Sequence, residues 1–256
     1  MNRWLIAATV SALAVAACAT SPTGRRQLHL VSDSEMSQMG VTAFTQLKTK
    51  TPVTTNARSS AYVQCVAKAL TDVVGGSWEV QVFESKEVNA FALPGGKIGV
   101  YTGLLKVATT QDQLAAVIGH EVNHVLAGHS AARVSNQMAA QLGTAVVAAG
   151  TGMAPELIGT GAQYLLLLPN SRGDESEADV LGMQLMARAG FDPNGAITLW
   201  QNMAKASGGQ QPPEFTSTHP SNVTRIDDLR RDLPKAMPLY EQARAAGKRP
   251  NCGAAG

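Results

Sequence analysis

The stretch Gly119-His120-Glu121-Val122-Asn123-His124 constrains this chain more than any other, because it makes chemical sense only on a helix. There the two histidines, four residues apart, stack on one face, close enough for both imidazoles to hold one metal ion. Glu121 lies beside that face without aiming at it. Two neutral imidazoles of this kind bind Zn2+ and leave a position for water, whose proton the neighbouring carboxylate can take, as a hydrolase requires. The flanking residues supply the helix. Thr110 with Gln113 makes a capping box, and Leu114, Val117 and Ile118 follow at helical spacing.

A third ligand is expected from Ser171-Arg172-Gly173-Asp174-Glu175-Ser176-Glu177-Ala178-Asp179, which Leu181, Met183, Leu185 and Met186 continue as a helix. Glu175 and Asp179 are four apart and share a face. Glu175 can therefore bind metal while Asp179 accepts the far N–H of a ligating histidine and fixes its tautomer. Glu177 points elsewhere and reads as a solvated helix charge. His120, His124 and Glu175 together make a His2Glu site of the gluzincin type for one Zn2+ per chain.

With these pieces the chain resembles the HtpX and CAAX-prenyl-endopeptidase-like family of zinc metallopeptidases, in its soluble periplasmic, BepA-like branch. The resemblance rests on Val88-Asn89-Ala90-Phe91-Ala92-Leu93-Pro94-Gly95-Gly96, Tyr101-Thr102-Gly103-Leu104, the His120 to His124 motif, Ser171-Arg172 with Glu175 to Asp179, and Ser217-Thr218-His219-Pro220. It implies a strand around Asn89, Ala90 and Phe91 along the active-site cleft, to which an extended peptide could add through main-chain hydrogen bonds. It also implies a functional His219. Imidazole there either plugs the fourth zinc position and keeps the enzyme latent, or donates to an oxyanion. Arg225 on the following helix is a further cleft candidate. The family's membrane spans and helical repeats have no counterpart in this sequence, so recruitment of substrate by such appendages is not implied.

The chain opens with Arg3 and an apolar run from Leu5 to Ala17, which has signal-peptide rather than membrane-spanning length. Val15-Ala16-Ala17-Cys18 resembles a lipobox, so Cys18 is expected to become the lipidated first residue, anchored and not spanning. Ala19 carries no inner-membrane retention signal, which points to the outer membrane of a Gram-negative envelope. The expected organisation is a signal peptide over 1–17, a lipidated tether over 18–31 and one zinc metallopeptidase domain over 32–250. The formal net charge of +2 and the short Arg25-Arg26 and Arg230-Arg231 pairs give no footing for nucleic acid.

Along the domain, Ser32 with Glu35 starts a helix, a second helix covers about 57–74, and Trp78 to Phe83 alternates as a strand. Pro94-Gly95-Gly96 turns between two apolar strands. His129 lies nine residues beyond His120, so a continuous helix would turn it away from the metal, toward packing or a hydrogen bond. Residues 134–155 hold no charge and read as helices packed closely through small residues, with a surface that could rest against a membrane. The tail from Ala245 to Gly256 reads as frayed. Once Cys18 is lipidated, Cys65 and Cys252 are the two cysteines left in an oxidising compartment, and they are expected to pair.

These readings lead to an α+β fold, mainly helical and zincin-like, with a small sheet lining one side of the zinc cleft. The function expected is endoproteolysis of misfolded or misassembled envelope proteins. Its alternatives are a non-proteolytic chaperone with a structural zinc, or a processing peptidase for a single substrate.

Overall fold

A computed structural model describes residues 18–145, 164–206, 218–219 and 224–254 of the 256-residue chain. The expected signal peptide, the rest of the uncharged stretch beyond residue 145, most of the Ser207 to Thr218 loop and Pro220 lie outside the described residues.

Helix α1 (Asp33–Lys50) starts where Ser32 and Glu35 close a capping box, and α2 (Ala57–Val74) starts at Asn56, whose side chain accepts from the N–H groups of Arg58 and Ser59. Three strands follow: β3 (Glu79–Phe83), β4 (Ala90–Leu93) and β5 (Lys97–Tyr101). They are ordered β3-β5-β4, with β3 parallel to β5 and β4 antiparallel to it. Gly95 and Gly96, at φ of +81° and +68°, make the turn that reverses β4 into β5. As a result β4 is an edge strand, hydrogen-bonded within the sheet by β5 alone.

Helix α3 (Gln111–Leu126) carries the metal motif and begins at the Thr110–Gln113 capping box. It runs through the middle of the molecule against β4, α2, α5 (Arg172–Arg188) and α6 (Asn194–Ala206). Leu114, Ile118, Ile98, Leu70 and Met186 are fully buried around it. The tightest approach is to α5. A Cβ added to Gly182 would lie 2.8 Å from the backbone nitrogen of His120, so glycine is what lets the two backbones touch beside the metal ligand. A smaller core under α1 gathers Phe44, Phe83, Phe91 and Tyr101, with ring centroids between 5.9 and 6.3 Å apart in each contacting pair. Helix α4 (His129–Ala145) follows α3 after Gly128, and α7 (Arg225–Ala245) closes the bundle over α5 and α6. Among the described residues no helix is long and apolar enough to cross a membrane.

Two expectations give way here. Residues 18–28 do not form a loose tether. They fold into a hairpin of β1 (Cys18–Thr20) and β2 (Arg26–Leu28), fixed to α5 by ion pairs from Arg25 to Asp174 and Glu177. Strands of three residues show no alternation, so the sequence pattern cannot announce them. The tail is likewise pinned and not frayed: Cys65 and Cys252 form a disulfide, Cys252 N–H donates to Gln111, and the Gln111 amide donates to the Pro250 carbonyl. Cys18 is exposed and outside that bridge.

Candidate metal centre

Helix α3 presents His120 and His124 on one face, and α5 sets Glu175 against them. The Nε2 atoms of the two histidines are 2.9 Å apart, and the Glu175 oxygens lie 3.3 Å from His124 Nε2 and 3.4 Å from His120 Nε2. His219 enters from the other side, its Nδ1 3.0 Å from Glu175 Oε1 and 3.3 Å from His120 Nε2. One donor atom from each of these four residues lies within 4.8 Å of the others, and all four residues are buried. Ring nitrogens and a carboxylate converging this closely in a buried site could hold a cation between them, and imidazole nitrogen with carboxylate oxygen is a zinc donor set. The residues present therefore fit one Zn2+.

Each ligating face is braced from behind. His120 Nδ1 lies 2.9 Å from Asp179, an arrangement that suits an Nδ1–H donor and turns Nε2 into the cluster. Arg225 donates to Asp179 at 2.7 Å and to Glu175 at 3.2 Å, and its guanidinium stacks 3.6 Å over the Trp200 ring. That corrects the reading of Arg225 as a cleft residue: it is buried at 4% exposure behind the carboxylates. On the other side His129 Nδ1 stands 2.9 Å from His124 Nδ1, and His129 Nε2 stands 3.2 Å from Glu177. His129 turns inward because α3 ends at Leu126 and Gly128, at φ +71°, re-aims the chain. Glu177 is no solvated charge. It is 4% exposed and takes hydrogen bonds from Thr23 and Arg25 as well.

The electrostatics suit a charged centre. Burial opposes ionisation of Glu175, yet His120 beside it and hydrogen bonds from His120, His124 and His219 hold its carboxyl far below the usual range. Burial pushes the Glu121 carboxyl up, against a partial pull from His219 and His120. Burial drives His124 well toward the neutral form that can donate its lone pair.

Glu121 is 3% exposed, with Oε1 3.3 Å from His219 Nε2. It lines a cleft of about 230 Å³ with His124, His219, Asn89, Ala90 and Phe91, so the edge strand borders the metal cluster. Two further residues of this cleft carry no sequence signal. The Asn170 amide lies 3.2 Å from His219 Nδ1, and Arg133 reaches the Leu165 carbonyl at 3.4 Å.

The profile of Peptidase family M48 matches residues 54–232, a span that contains the helix motif, Glu175, Asp179, His219 and Arg225. The chain belongs to peptidase family M48. Zinc is this family's metal, in keeping with the donor set. The chain is 40% identical over 183 residues to the mitochondrial metalloendopeptidase OMA1 of Schizosaccharomyces pombe, covering 70% of this chain and 54% of that protein. It is 30% identical over 214 residues to the metalloprotease LoiP of Escherichia coli, covering 80% and 82%. With the beta-barrel assembly-enhancing protease of Escherichia coli it shares 28% over 220 residues, covering 80% and 45%. The chain spans about half the length of the OMA1 relative. Higher identity to OMA1 than to the beta-barrel assembly-enhancing protease replaces the expected BepA-like branch with an OMA1-like one.

Proposed function

We propose that this chain is a zinc-dependent endopeptidase that cleaves misfolded or misassembled cell-envelope proteins in the periplasm, held to the outer membrane by lipid on Cys18. One observation carries the catalytic part: Glu121 sits buried beside the four-residue cluster and faces the cleft along β4. A zinc site that only stabilised the fold would need no carboxylate there, which weighs against the chaperone reading. His120, His124 and Glu175 would hold the zinc, which when bound supplies Lewis acidity at the scissile carbonyl. Glu121, its proton affinity raised by burial, takes a proton from water and returns it to the leaving amine. Asp179 keeps His120 in its ligating tautomer. The edge of β4 offers main-chain donors and acceptors to an extended peptide, which favours unfolded substrates of varied sequence. In this reading His219 is a plug that occupies the cluster until it is displaced.

The envelope setting draws support from the likeness to the beta-barrel assembly-enhancing protease and from the lipobox-like Val15 to Cys18. The OMA1 relatives are named as mitochondrial, so location is tested separately from chemistry. Zinc-loaded protein incubated with casein should yield internal fragments by mass spectrometry, and a Glu121→Gln protein should yield none. Expressed with its leader in a Gram-negative host, Glu121→Gln protein should co-purify with unfolded envelope proteins from the outer-membrane fraction. Absence of internal cleavage by the parent rejects the enzyme, whereas cleavage with no envelope capture rejects only the setting.

A further inference from the structure

His124 points Nε2 into the metal cluster, so its proton belongs on Nδ1. That Nδ1–H faces His129 Nδ1 at 2.9 Å, and His129 must therefore accept there and carry its own proton on Nε2. His129 Nε2–H then donates to Glu177 Oε2 at 3.2 Å. Only this order satisfies all three groups. The opposite tautomer of His129 would set two N–H groups against each other and a lone pair against a carboxylate. His129 has no exposure and the Glu177 side chain 1%, so water cannot stand in for either. Glu177 is in turn held from the N-terminal hairpin: the Thr23 N–H and hydroxyl donate to Oε1 at 3.0 and 2.7 Å, and Arg25 donates to Oε2 at 3.1 Å. Arg25 also bonds Asp174, so two carboxylates on α5 grip the hairpin turn.

We propose that His129, Glu177 and the Thr23–Arg25 turn form a relay that positions the metal ligand His124, so that zinc retention depends on the seating of residues 18–28. The hairpin is thus a working part of the metal centre on the His124 side, as Asp179 and Arg225 are on the His120 side. Residue 18 begins that hairpin, so any force on the chain at Cys18 acts within a few residues of the relay. The inference rests on His124 holding zinc and is independent of whether the zinc enzyme cuts peptides.

The test is zinc retention in the full chain, read by competition with a chromophoric chelator, with folding of each zinc-free variant checked by circular dichroism. His129→Leu keeps the volume and removes both hydrogen bonds; zinc should bind about 10- to 100-fold more weakly. His129→Gln can accept from His124 and donate to Glu177, and should recover most of that loss. Arg25→Met should speed zinc release several-fold with the fold intact. Unchanged zinc affinity in a folded His129→Leu protein, or equal losses in the Leu and Gln variants, would overturn the relay. Should His129→Leu not fold, a ten-fold loss in His129→Gln does the same, and unchanged zinc release in Arg25→Met removes the hairpin from the centre. A parent that binds no zinc overturns the metal site itself, whereas one that binds zinc without cutting casein leaves the relay testable.

Discussion

Gly182→Ala adds one methyl group where α3 and α5 cross. Its Cβ would lie 2.8 Å from the backbone nitrogen of His120, 2.9 Å from its Cα and 3.1 Å from the carbonyl carbon of Gly119, and none of these is a side chain that can swing away. Carbon atoms settle about 3.5–4.0 Å apart, so the helices must part by roughly 0.6 Å at the crossing. Overpacking of this kind costs about 1–3 kcal/mol, while alanine in a helix returns about 1 kcal/mol over glycine. The net loss of stability, about 0–2 kcal/mol, is a weak discriminator. The metal is a stronger one. His120 is carried by α3 and Glu175 by α5, and a site tolerates only about 0.2 Å in its ligand distances. Zinc affinity should therefore fall about ten-fold or more while the urea midpoint moves little. A chelator competition and a urea titration on the same preparation measure both. Unchanged zinc affinity would falsify the claim that this glycine contact sets the ligand geometry.

If His219 is a plug, His219→Ala should raise basal caseinolysis; a fall in kcat of about ten-fold or more would instead assign His219 to oxyanion stabilisation. The Cys65–Cys252 bridge spans 187 residues and should contribute about 5 kcal/mol in the chain-entropy model, read as the difference in unfolding free energy between parent and Cys65→Ser. In a Cys18→Ser protein made in the periplasm no thiol should titrate in denaturant, and two titrating thiols would contradict the bridge.

What the sequence made legible was local. The capping boxes at Ser32 and Thr110 each lie within three residues, and the two i,i+4 pairs of the metal site lie within one helical turn. The Glu175–Asp179 pair was readable for the same reason. What was hidden depended on distant partners. Glu177 finds Thr23 at a separation of 154 residues, and Arg225 finds Asp179 at 46. Helical spacing alone leaves such charges looking solvated. His129 stays out of the four-residue cluster and makes hydrogen-bond contacts, as expected, but by a different route, because the helix that would have turned it away ends first. Ala127-Gly128 is a readable stop signal, and it shows that α3 ends before His129. The hairpin at residues 18–28 owes its order to Glu177 and Asp174 more than to any strand propensity of its own.

The central claim is that Glu121 is the base of a site whose metal is held by other residues, so metal and turnover should separate. Zinc content and casein cleavage measured on one preparation each of parent, Glu121→Gln and His124→Ala decide it most directly. Parent and Glu121→Gln should each carry about one zinc per chain, with turnover present in the first and lost in the second, while His124→Ala should lose both. Parent-like turnover by a zinc-loaded Glu121→Gln protein, or a full zinc complement in His124→Ala, would contradict the account.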